Sequence, residues 1–209
     1  MEMGIKLYGV AGSPNVRGAM LGLAEKGVDY ELVDVFPPFK APDHMARNPF
    51  GRVPVLEHDG FLLYETQAIL RYVDQAFPGP ALQPADAREA ARMNQILGIV
   101  DCYLFETWSG AIGFERLIAT SFLGRPCDLA QVEAAVPLAR CCAEALEAVI
   151  SAPYLTGGTF SLADIRLMPH FDWLRRTPEG EAMLADKGGL VRWFEQVRAR
   201  PSAQAVLQP

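Results

Sequence analysis

The sequence predicts an α/β domain followed by an all-α domain. Up to about residue 85, short strand-like runs alternate with helical stretches, whereas almost every later segment has helical periodicity. A Pro-rich stretch, Pro78–Pro84, marks the change. A chain of 209 residues is long enough for two small domains, each with its own core. We therefore predict a first domain over 1–79, a linker over 80–87 and a helical domain over 88–209.

The first domain begins with a strand–helix–strand order. Ile5–Gly9 is a short apolar-rich run, typical of a buried strand. Ser13 and Pro14 favour a helix start, with Ser13 as N-cap and Pro14 at the first helical position, and Gly27 ends the helix. Asp29–Val35 alternates enough to form a second strand. Because a helix joins the two strands, we expect them to pair in parallel.

The remainder of the first domain predicts a hairpin and a further helix. Val53–Glu57 and Phe61–Tyr64 flank the turn sequence His58-Asp59-Gly60, which is a hairpin signal. The Pro-rich stretch before the hairpin is irregular apart from a helical turn around Asp43–Arg47, and Glu65–Ala76 is helical. The expected structure is one sheet with a parallel crossover and an antiparallel hairpin, covered by helices.

The second domain is predicted to be an all-helical bundle. Its predicted helices are Asp86–Ile118, with a bend near Gly110 or Gly113, Asp128–Ile150, Ser161–Arg176 and Leu190–Ala199, which Pro201 ends. The segment Ser161-Leu162-Ala163-Asp164 resembles a capping box and is interpreted as structural.

Aromatic side chains lie along the first of these helices. Tyr103, Phe105, Trp108 and Phe114 occur within twelve positions of one another, and aromatic residues on such a helix usually pack in a core. A chain that binds an apolar ligand also needs an apolar cleft. We choose Trp108 and Phe114 as the candidates for a ligand pocket.

Composition and charge exclude several classes of partner. The formal net charge of −6 disfavours nucleic acid. No basic region with a long apolar stretch follows the N-terminus, and no apolar run approaches the roughly 18–20 residues that span a bilayer. We expect a cytoplasmic protein that binds neither nucleic acid nor membrane.

The cysteines do not form a recognisable motif. Cys102, Cys127, Cys141 and Cys142 include no C-x-x-C pair and no Cys/His cluster with zinc spacing. We interpret them as free thiols in a reducing compartment, and we predict no metal site.

Three short motifs of the first domain have both a structural and a functional interpretation. Pro54 is either an ordinary trans edge residue or a cis proline. A cis bond after Val53 would leave the Val53 N–H and C=O unpaired at the sheet edge, where an extended peptide can bind.

The pair Glu65-Thr66 is either a helix start or a site for an amino-acid head group. In the second case the carboxylate of the head group would lie at the helix terminus and its ammonium beside Glu65. Ser13 is either an N-cap or a hydroxyl that donates to an anion, while Arg17, one turn on, packs structurally.

These motifs together resemble the cytosolic glutathione S-transferases. The resemblance covers essentially the whole chain, and it is closest to the serine-type, phi- or theta-like enzymes. The matching segments are LYGVAGSPNVR at 7–17, NPFGRVPVL at 48–56, LYETQAI at 63–69 and FSLADI at 160–165.

The resemblance implies a thioredoxin-like first domain that binds glutathione as a co-substrate, with no other cofactor. Ser13 would be the catalytic hydroxyl and donate to the glutathione sulfur. Val53, ahead of cis-Pro54, would pair its backbone with the cysteinyl unit. Glu65 and Thr66 would hold the γ-glutamyl head.

The glycyl end of the implied site departs from the family pattern. Lys40 matches a residue that binds the glycyl carboxylate, but the His that commonly precedes it is Phe39 here. Gln or Lys commonly occupies the position of Arg52, which can still donate to a carboxylate. Tyr8 matches a first-strand tyrosine of the family, and the serine pattern makes it structural here.

The resemblance also implies an activity and an assembly. The expected activity is conjugation of the glutathione thiolate to small hydrophobic electrophiles in detoxification, by a homodimer with Phe50 as an aromatic anchor. The alternatives are a non-catalytic glutathione-binding protein of the same fold and a glutathione-dependent isomerase or dehalogenase. A thiol–disulfide oxidoreductase is disfavoured, because Ser13 cannot form a mixed disulfide and the first hundred residues contain no cysteine.

Overall fold

The computed structural model describes residues 4–37 and 39–207. They divide into two compact units, one ending at Ala81 and the other extending from Leu82 to Leu207. The outer ends of the two predicted domains, 1–3 and 208–209, lie outside the described residues. An α/β unit followed by a helical unit confirms the predicted fold class.

The first unit alternates strands and helices before it ends in a hairpin and a helix. Its elements are β1 (Ile5–Gly9), α1 (Pro14–Glu25), β2 (Glu31–Asp34), α2 (Pro42–Arg47), β3 (Val55–His58), β4 (Phe61–Tyr64) and α3 (Thr66–Ala76).

These strands form one mixed sheet with the order β2-β1-β3-β4. β1 pairs in parallel with β2, as expected for a crossover through α1, and it pairs antiparallel with β3 on its other side. Leu7 lies opposite Leu32 on one side and opposite Leu56 on the other. Leu7 and Leu56 are fully buried against Val16, Ile69 and other apolar side chains of α1 and α3, so the core of the unit fixes the strand register.

The hairpin between β3 and β4 has the predicted turn. β3 ends at His58 and β4 begins at Phe61, so Asp59 and Gly60 form the two-residue loop. Their φ angles are 53° and 84°, and two successive positive φ angles are the requirement of a type I′ turn. Asp-Gly satisfies that requirement at low cost.

The second unit is helical, as predicted. Its helices are α4 (Ala87–Ile99), a π-helix that follows it directly (Val100–Ala119), α5 (Leu129–Val149), α6 (Leu162–Leu174), α7 (Pro178–Leu184), α8 (Gly188–Arg198) and α9 (Pro201–Val206). Neither α7 nor α9 was predicted from the sequence, in which Pro201 was expected only to end the preceding helix. In both helices a proline occupies the first helical position, where its missing N–H removes no helical hydrogen bond.

The second unit packs around α6, whose residues are all buried. The predicted capping box is present at its start, where Ser161 and Asp164 exchange hydrogen bonds. The buried Asp164 carboxylate also accepts from the Leu155 N–H at 3.0 Å and from the Trp193 indole at 2.7 Å. These contacts give Asp164 the structural role predicted from the capping-box sequence.

A buried carboxylate fixes the loop between the π-helix and α5. Glu115 is 1% exposed, and its oxygens accept from the Arg125 guanidinium at 2.6 and 2.7 Å. One of them also accepts from the Asp128 N–H at 2.9 Å. The hydrogen bonds from Arg125, followed by the one from Asp128, lower the pKa of Glu115 from 4.5 to about 2.

This depressed pKa predicts an acid-dependent contribution to stability. The contribution is present above the unfolded-state pKa of about 4.5 and is lost as the pH falls towards about 2. Glu115→Gln should therefore lower the free energy of unfolding at pH 7. The difference in this free energy between the variant and the wild type should become smaller below about pH 4.5. Urea denaturation at a series of pH values measures this. Glu144→Gln, at an exposed position of α5, is the control and should leave the profile unchanged. A difference in the free energy of unfolding that does not change with pH would contradict the lowered pKa of Glu115.

Candidate active site

The register of the sheet brings three chain segments to one edge. Tyr8 pairs with Val55, and Val55 pairs with Tyr64. The end of β1, the beginning of β3 and the end of β4 therefore lie side by side. The segments that continue from these strand ends contain Ser13, Val53 and the pair Glu65-Thr66.

Ser13 occupies the N-cap position of α1, but its hydroxyl makes no capping hydrogen bond. Its backbone is held instead, because its N–H donates to the Val10 carbonyl at 2.9 Å and its carbonyl accepts from the Arg17 N–H at 2.8 Å. Pro14 continues the chain into the helix. The side chain is half-buried, and its hydroxyl has no hydrogen-bond partner in the described part of the chain. The geometry thus leaves this hydroxyl available to an anion at a helix N-terminus.

Arg17 supports the loop before Ser13. The Arg17 side chain is largely buried, and its Nε donates to the Ala11 carbonyl at 3.0 Å. This contact gives Arg17 the structural role expected from the sequence. The guanidinium also adds positive charge near the start of α1.

Tyr8 is committed to a different partner. Its hydroxyl donates to Glu57 Oε2 at 2.6 Å, and the Arg47 guanidinium lies 4.5 Å from its ring centroid. Burial, followed by the hydrogen bond to Glu57, raises the pKa of Tyr8 above its ordinary value. The phenol therefore stays protonated and directs its only proton to a carboxylate. This geometry favours the structural interpretation of Tyr8.

The Val53–Pro54 peptide bond is cis. Val53 precedes the first residue of β3 by two positions, and Pro54 has no N–H to contribute to the ladder. Among the described residues, no hydrogen bond reaches the Val53 N–H or C=O. These two groups can pair with one edge of an extended peptide.

The turn before Val53 is stabilised by hydrogen bonds from a side chain that was not predicted to be a site residue. Asn48 Nδ2 donates to the Arg52 carbonyl at 2.9 Å, and Asn48 Oδ1 accepts from the Phe50 N–H at 3.0 Å. His44 Nε2 lies 3.0 Å from the same Arg52 carbonyl. The NPFG sequence is typical of a turn, but nothing in it indicates that a helix residue reaches the same carbonyl.

Glu65 has a backbone conformation that a side chain rarely adopts. Its φ is 69° and its ψ is 114°, immediately before α3 begins at Thr66. Such strain is typical of functional sites. Glu65 is exposed, and no ion pair or hydrogen bond to its carboxylate is found in residues 4–37 and 39–207. Its side chain is thus positioned at a helix N-terminus without capping it.

Thr66 lies close to the start of α1. It is 6% exposed, and a methyl side chain at Gly18 would lie only 3.3 Å from its Cγ2. The absence of a side chain at Gly18 therefore lets α1 and α3 approach each other closely near their N-termini. The site around Thr66 and Ser13 has two helix N-termini, each with a partial positive charge.

Lys40 and Arg52 are exposed cationic residues near the same turn. Lys40 Nζ donates weakly to the Phe50 carbonyl at 3.4 Å. Gly51 has a φ of 57°, and any side chain there would meet Lys40 Nζ at 2.8 Å. Phe39, which departs from the family pattern, has a φ of 58° and contacts the His44 ring at a centroid distance of 6.3 Å. Phe39 therefore packs against His44 at the position where the resemblance implied a polar histidine side chain.

The two aromatic candidates of the second unit differ in placement. Trp108 has no exposed surface, and its indole donates to the Ala139 carbonyl at 3.0 Å. Trp108 therefore packs in the core of the helical unit and has no surface with which to line a pocket, so we do not retain it as a ligand-binding residue. Phe114 is half-buried, and its assignment stays a prediction.

The four cysteines are unpaired and lie in the second unit. Cys102 and Cys141 are exposed. The described residues contain no group of three or more His, Cys, Asp or Glu side chains that could hold a metal ion. Within the same residues, no helix is sufficiently long and apolar to span a membrane.

Comparison with known proteins agrees with a thioredoxin-like domain followed by a helical domain. The family model "Glutathione S-transferase, N-terminal domain" matches residues 3–75, and "Glutathione S-transferase, C-terminal domain" matches residues 118–201. Similar curated proteins include glutathione S-transferase 4 of Zea mays, 36% identical over 98% of this chain and 92% of that protein. The probable glutathione S-transferase GSTF2 of Oryza sativa is 33% identical, over 97% of this chain and 95% of that protein.

Solved structures give the same result. The apo form of glutathione S-transferase III has a TM-score of 0.85 and 31% identity, covering 98% of this chain and 95% of that one. Glutathione S-transferase I bound with lactoylglutathione has a TM-score of 0.83 and 30% identity, covering 97% and 98% respectively. This chain therefore belongs to the glutathione S-transferase family.

Proposed function

We propose that this protein conjugates glutathione to small hydrophobic electrophiles and that Ser13 keeps the glutathione sulfur ionised. The observation that carries the proposal is the Ser13 hydroxyl, which lies at the N-terminus of α1 and makes no capping hydrogen bond. The similar structure that contains lactoylglutathione supports a site for a glutathione derivative in this fold.

The energy required of Ser13 is modest. A free thiol with a pKa near 8.5 is only about 3% thiolate at pH 7. Lowering the pKa by two units makes the thiolate the major form and requires roughly 2.7 kcal/mol of preferential stabilisation. A hydroxyl hydrogen bond to the anion together with a helix terminus supplies energy of this order. No general base is required, because stabilising the thiolate is itself the activation.

The remaining candidate residues match the chemistry of the tripeptide. Its cysteinyl unit would pair with the Val53 backbone, ahead of Pro54. The γ-glutamyl head carries an ammonium and a carboxylate on one carbon, which suits the Glu65 carboxylate beside the Thr66 hydroxyl and N–H.

The glycyl carboxylate would meet positive charge. Lys40 and Arg52 provide it from the turn before Val53, and both are exposed. Because exposed charges are screened by salt, we expect these two contacts to contribute less than those at Glu65 and Thr66. The bound sulfur would then attack the electrophile by addition or substitution.

We also propose a cytoplasmic homodimer with Phe50 as an anchor. Phe50 is 60% exposed, and its ring contacts Tyr64 edge-on at a centroid distance of 6.0 Å. A large aromatic ring held in this way and facing solvent is typical of an interface anchor.

Ser13→Ala should lower turnover with a general aryl halide by about tenfold to a thousandfold, as for the loss of one oxyanion-type donor. Steady-state kinetics at saturating glutathione measures this. Tyr8→Phe is the control, and it should keep turnover within about threefold because its hydroxyl is directed to Glu57. Unchanged turnover in Ser13→Ala would make Ser13 only a helix-start residue. Binding of the wild type to immobilised glutathione, without turnover on a panel of electrophiles, would favour a non-catalytic binding protein.

Thr66→Val should raise the KM for glutathione by about tenfold and change kcat little, because valine keeps the shape and removes one hydrogen bond to the γ-glutamyl carboxylate. The dipeptide cysteinylglycine lacks that unit, so the wild type and the variant should use it equally. An equal change in KM with both thiol substrates would contradict the assigned subsite.

Light scattering at micromolar concentration should give a mass of twice the 22.9 kDa of the chain. Phe50→Ser should shift the mass towards the monomer, because it removes a large apolar anchor. Phe36→Ser, at a side chain that is 68% exposed, is the control and should stay dimeric. A monomeric wild type, or a dimeric Phe50→Ser variant, would contradict the proposal.

A further inference from the structure

His44 is a buried histidine whose role the proposed chemistry does not explain. It lies on α2 and is 1% exposed. Its Nε2 is 3.0 Å from the Arg52 carbonyl oxygen. A carbonyl can only accept, so Nε2 carries the ring proton and donates it. The other ring nitrogen, Nδ1, is buried and has no hydrogen-bond partner among the described residues. The contact with Arg52 is thus the polar interaction that fixes the ring.

The Arg52 carbonyl receives a second donor. Asn48 Nδ2 lies 2.9 Å from the same oxygen, so two side chains occupy this one acceptor. A carbonyl oxygen has two lone pairs, and both are used here. The orientation of this carbonyl is therefore fixed from two directions by two buried residues.

The orientation of the Arg52 carbonyl decides that of the Val53 N–H. The two groups belong to one planar peptide unit, the one between Arg52 and Val53. This unit is trans, because the cis bonds in the described residues are those at Val53–Pro54 and Ala152–Pro153. In a trans peptide the C=O and the N–H point in opposite directions. Holding the carbonyl on His44 and Asn48 therefore directs the Val53 N–H away from α2. That N–H has no partner among the described residues.

We infer that His44 is a positioning residue for the glutathione site, because its hydrogen bond to the Arg52 carbonyl aims the Val53 N–H at the cysteinyl carbonyl of glutathione. The inference rests on the proposed function. His44 does not contact the tripeptide, and its effect passes through one peptide unit. A substitution of His44 should therefore change the affinity for glutathione and leave the chemical step intact.

Three variants separate this role from a structural one. His44→Phe keeps an aromatic ring against Phe39, 6.3 Å away in the wild type, but removes the donor. His44→Gln places an amide donor near the position of Nε2 and is the rescue variant. His58→Phe is the matched control, because His58 belongs to the same unit and also makes one side-chain hydrogen bond, to Tyr72.

Steady-state kinetics of the protein with an aryl halide should give the following values. His44→Phe raises the KM for glutathione by about tenfold, with kcat and the KM for the halide within about twofold of the wild type. His44→Gln restores the KM for glutathione to within about threefold, and His58→Phe leaves all three values unchanged. A wild-type KM for glutathione in His44→Phe overturns the inference, and so does a parallel change in kcat and both KM values.

The amide NMR signal of Val53 gives an independent readout that does not need the Phe variant to fold. Glutathione added to the isotope-labelled wild type should move this signal downfield, and the shift should be reduced in His44→Asn, whose shorter amide does not reach the carbonyl, but kept in His44→Gln. Equal shifts in the Asn and Gln variants overturn the positioning role. A wild type that conjugates glutathione with no movement of the Val53 signal also overturns it, whereas a wild type with no glutathione-dependent turnover contradicts the proposed function itself.

Discussion

The pairing of β1 with β3 is the constraint on which the candidate site depends. Because β1 and β3 run antiparallel, the end of the first and the beginning of the second lie at the same edge of the sheet. The hairpin then returns β4 to that edge, with Glu65 and Thr66 following it. Residues more than fifty positions apart in the sequence are thus placed around two helix N-termini. A slip of one residue in this register would place Leu7 and Leu56 on opposite faces of the sheet, so that one of them would leave the core, and it would shift the candidate residues relative to one another.

Local signals made much of the fold predictable from the sequence. Asp59-Gly60 predicted the hairpin because few other pairs tolerate two positive φ angles. Ser13-Pro14 predicted the start of α1, although the structure shows a serine in the cap position that does not cap. The glutathione S-transferase segments identified the family because several motifs occurred at the correct spacing.

Long-range contacts were not predictable in the same way. Periodicity shows that Trp108 lies on an apolar helix face, but it does not show whether that face meets a core or a ligand. The structure places the Trp108 indole on the Ala139 carbonyl, 31 positions away. His44 was missed for a related reason: its hydrogen bond is made to a backbone carbonyl, which every residue has and which leaves no trace in the sequence.

The Ser13 side chain does not stabilise α1 by capping it, and its hydroxyl is therefore available to bind a ligand. An N-cap side chain that bonds to the helix contributes about 1 kcal/mol, and α1 forgoes this contribution. A bound thiolate can accept from the hydroxyl and interact favourably with the helix terminus. Glutathione binding is therefore expected to raise the free energy of unfolding, as the binding of any ligand that prefers the folded state does.

The most direct test of the account is the titration of the glutathione thiol in the complex, followed by the ultraviolet absorbance of the thiolate. In the wild-type protein the pKa of this thiol should fall to about 6.5, about two units below that of a free thiol. In Ser13→Ala it should return towards about 8.5. A wild-type complex whose thiol titrates like free glutathione, or a variant complex with the same lowered pKa as the wild type, would contradict the central role of Ser13.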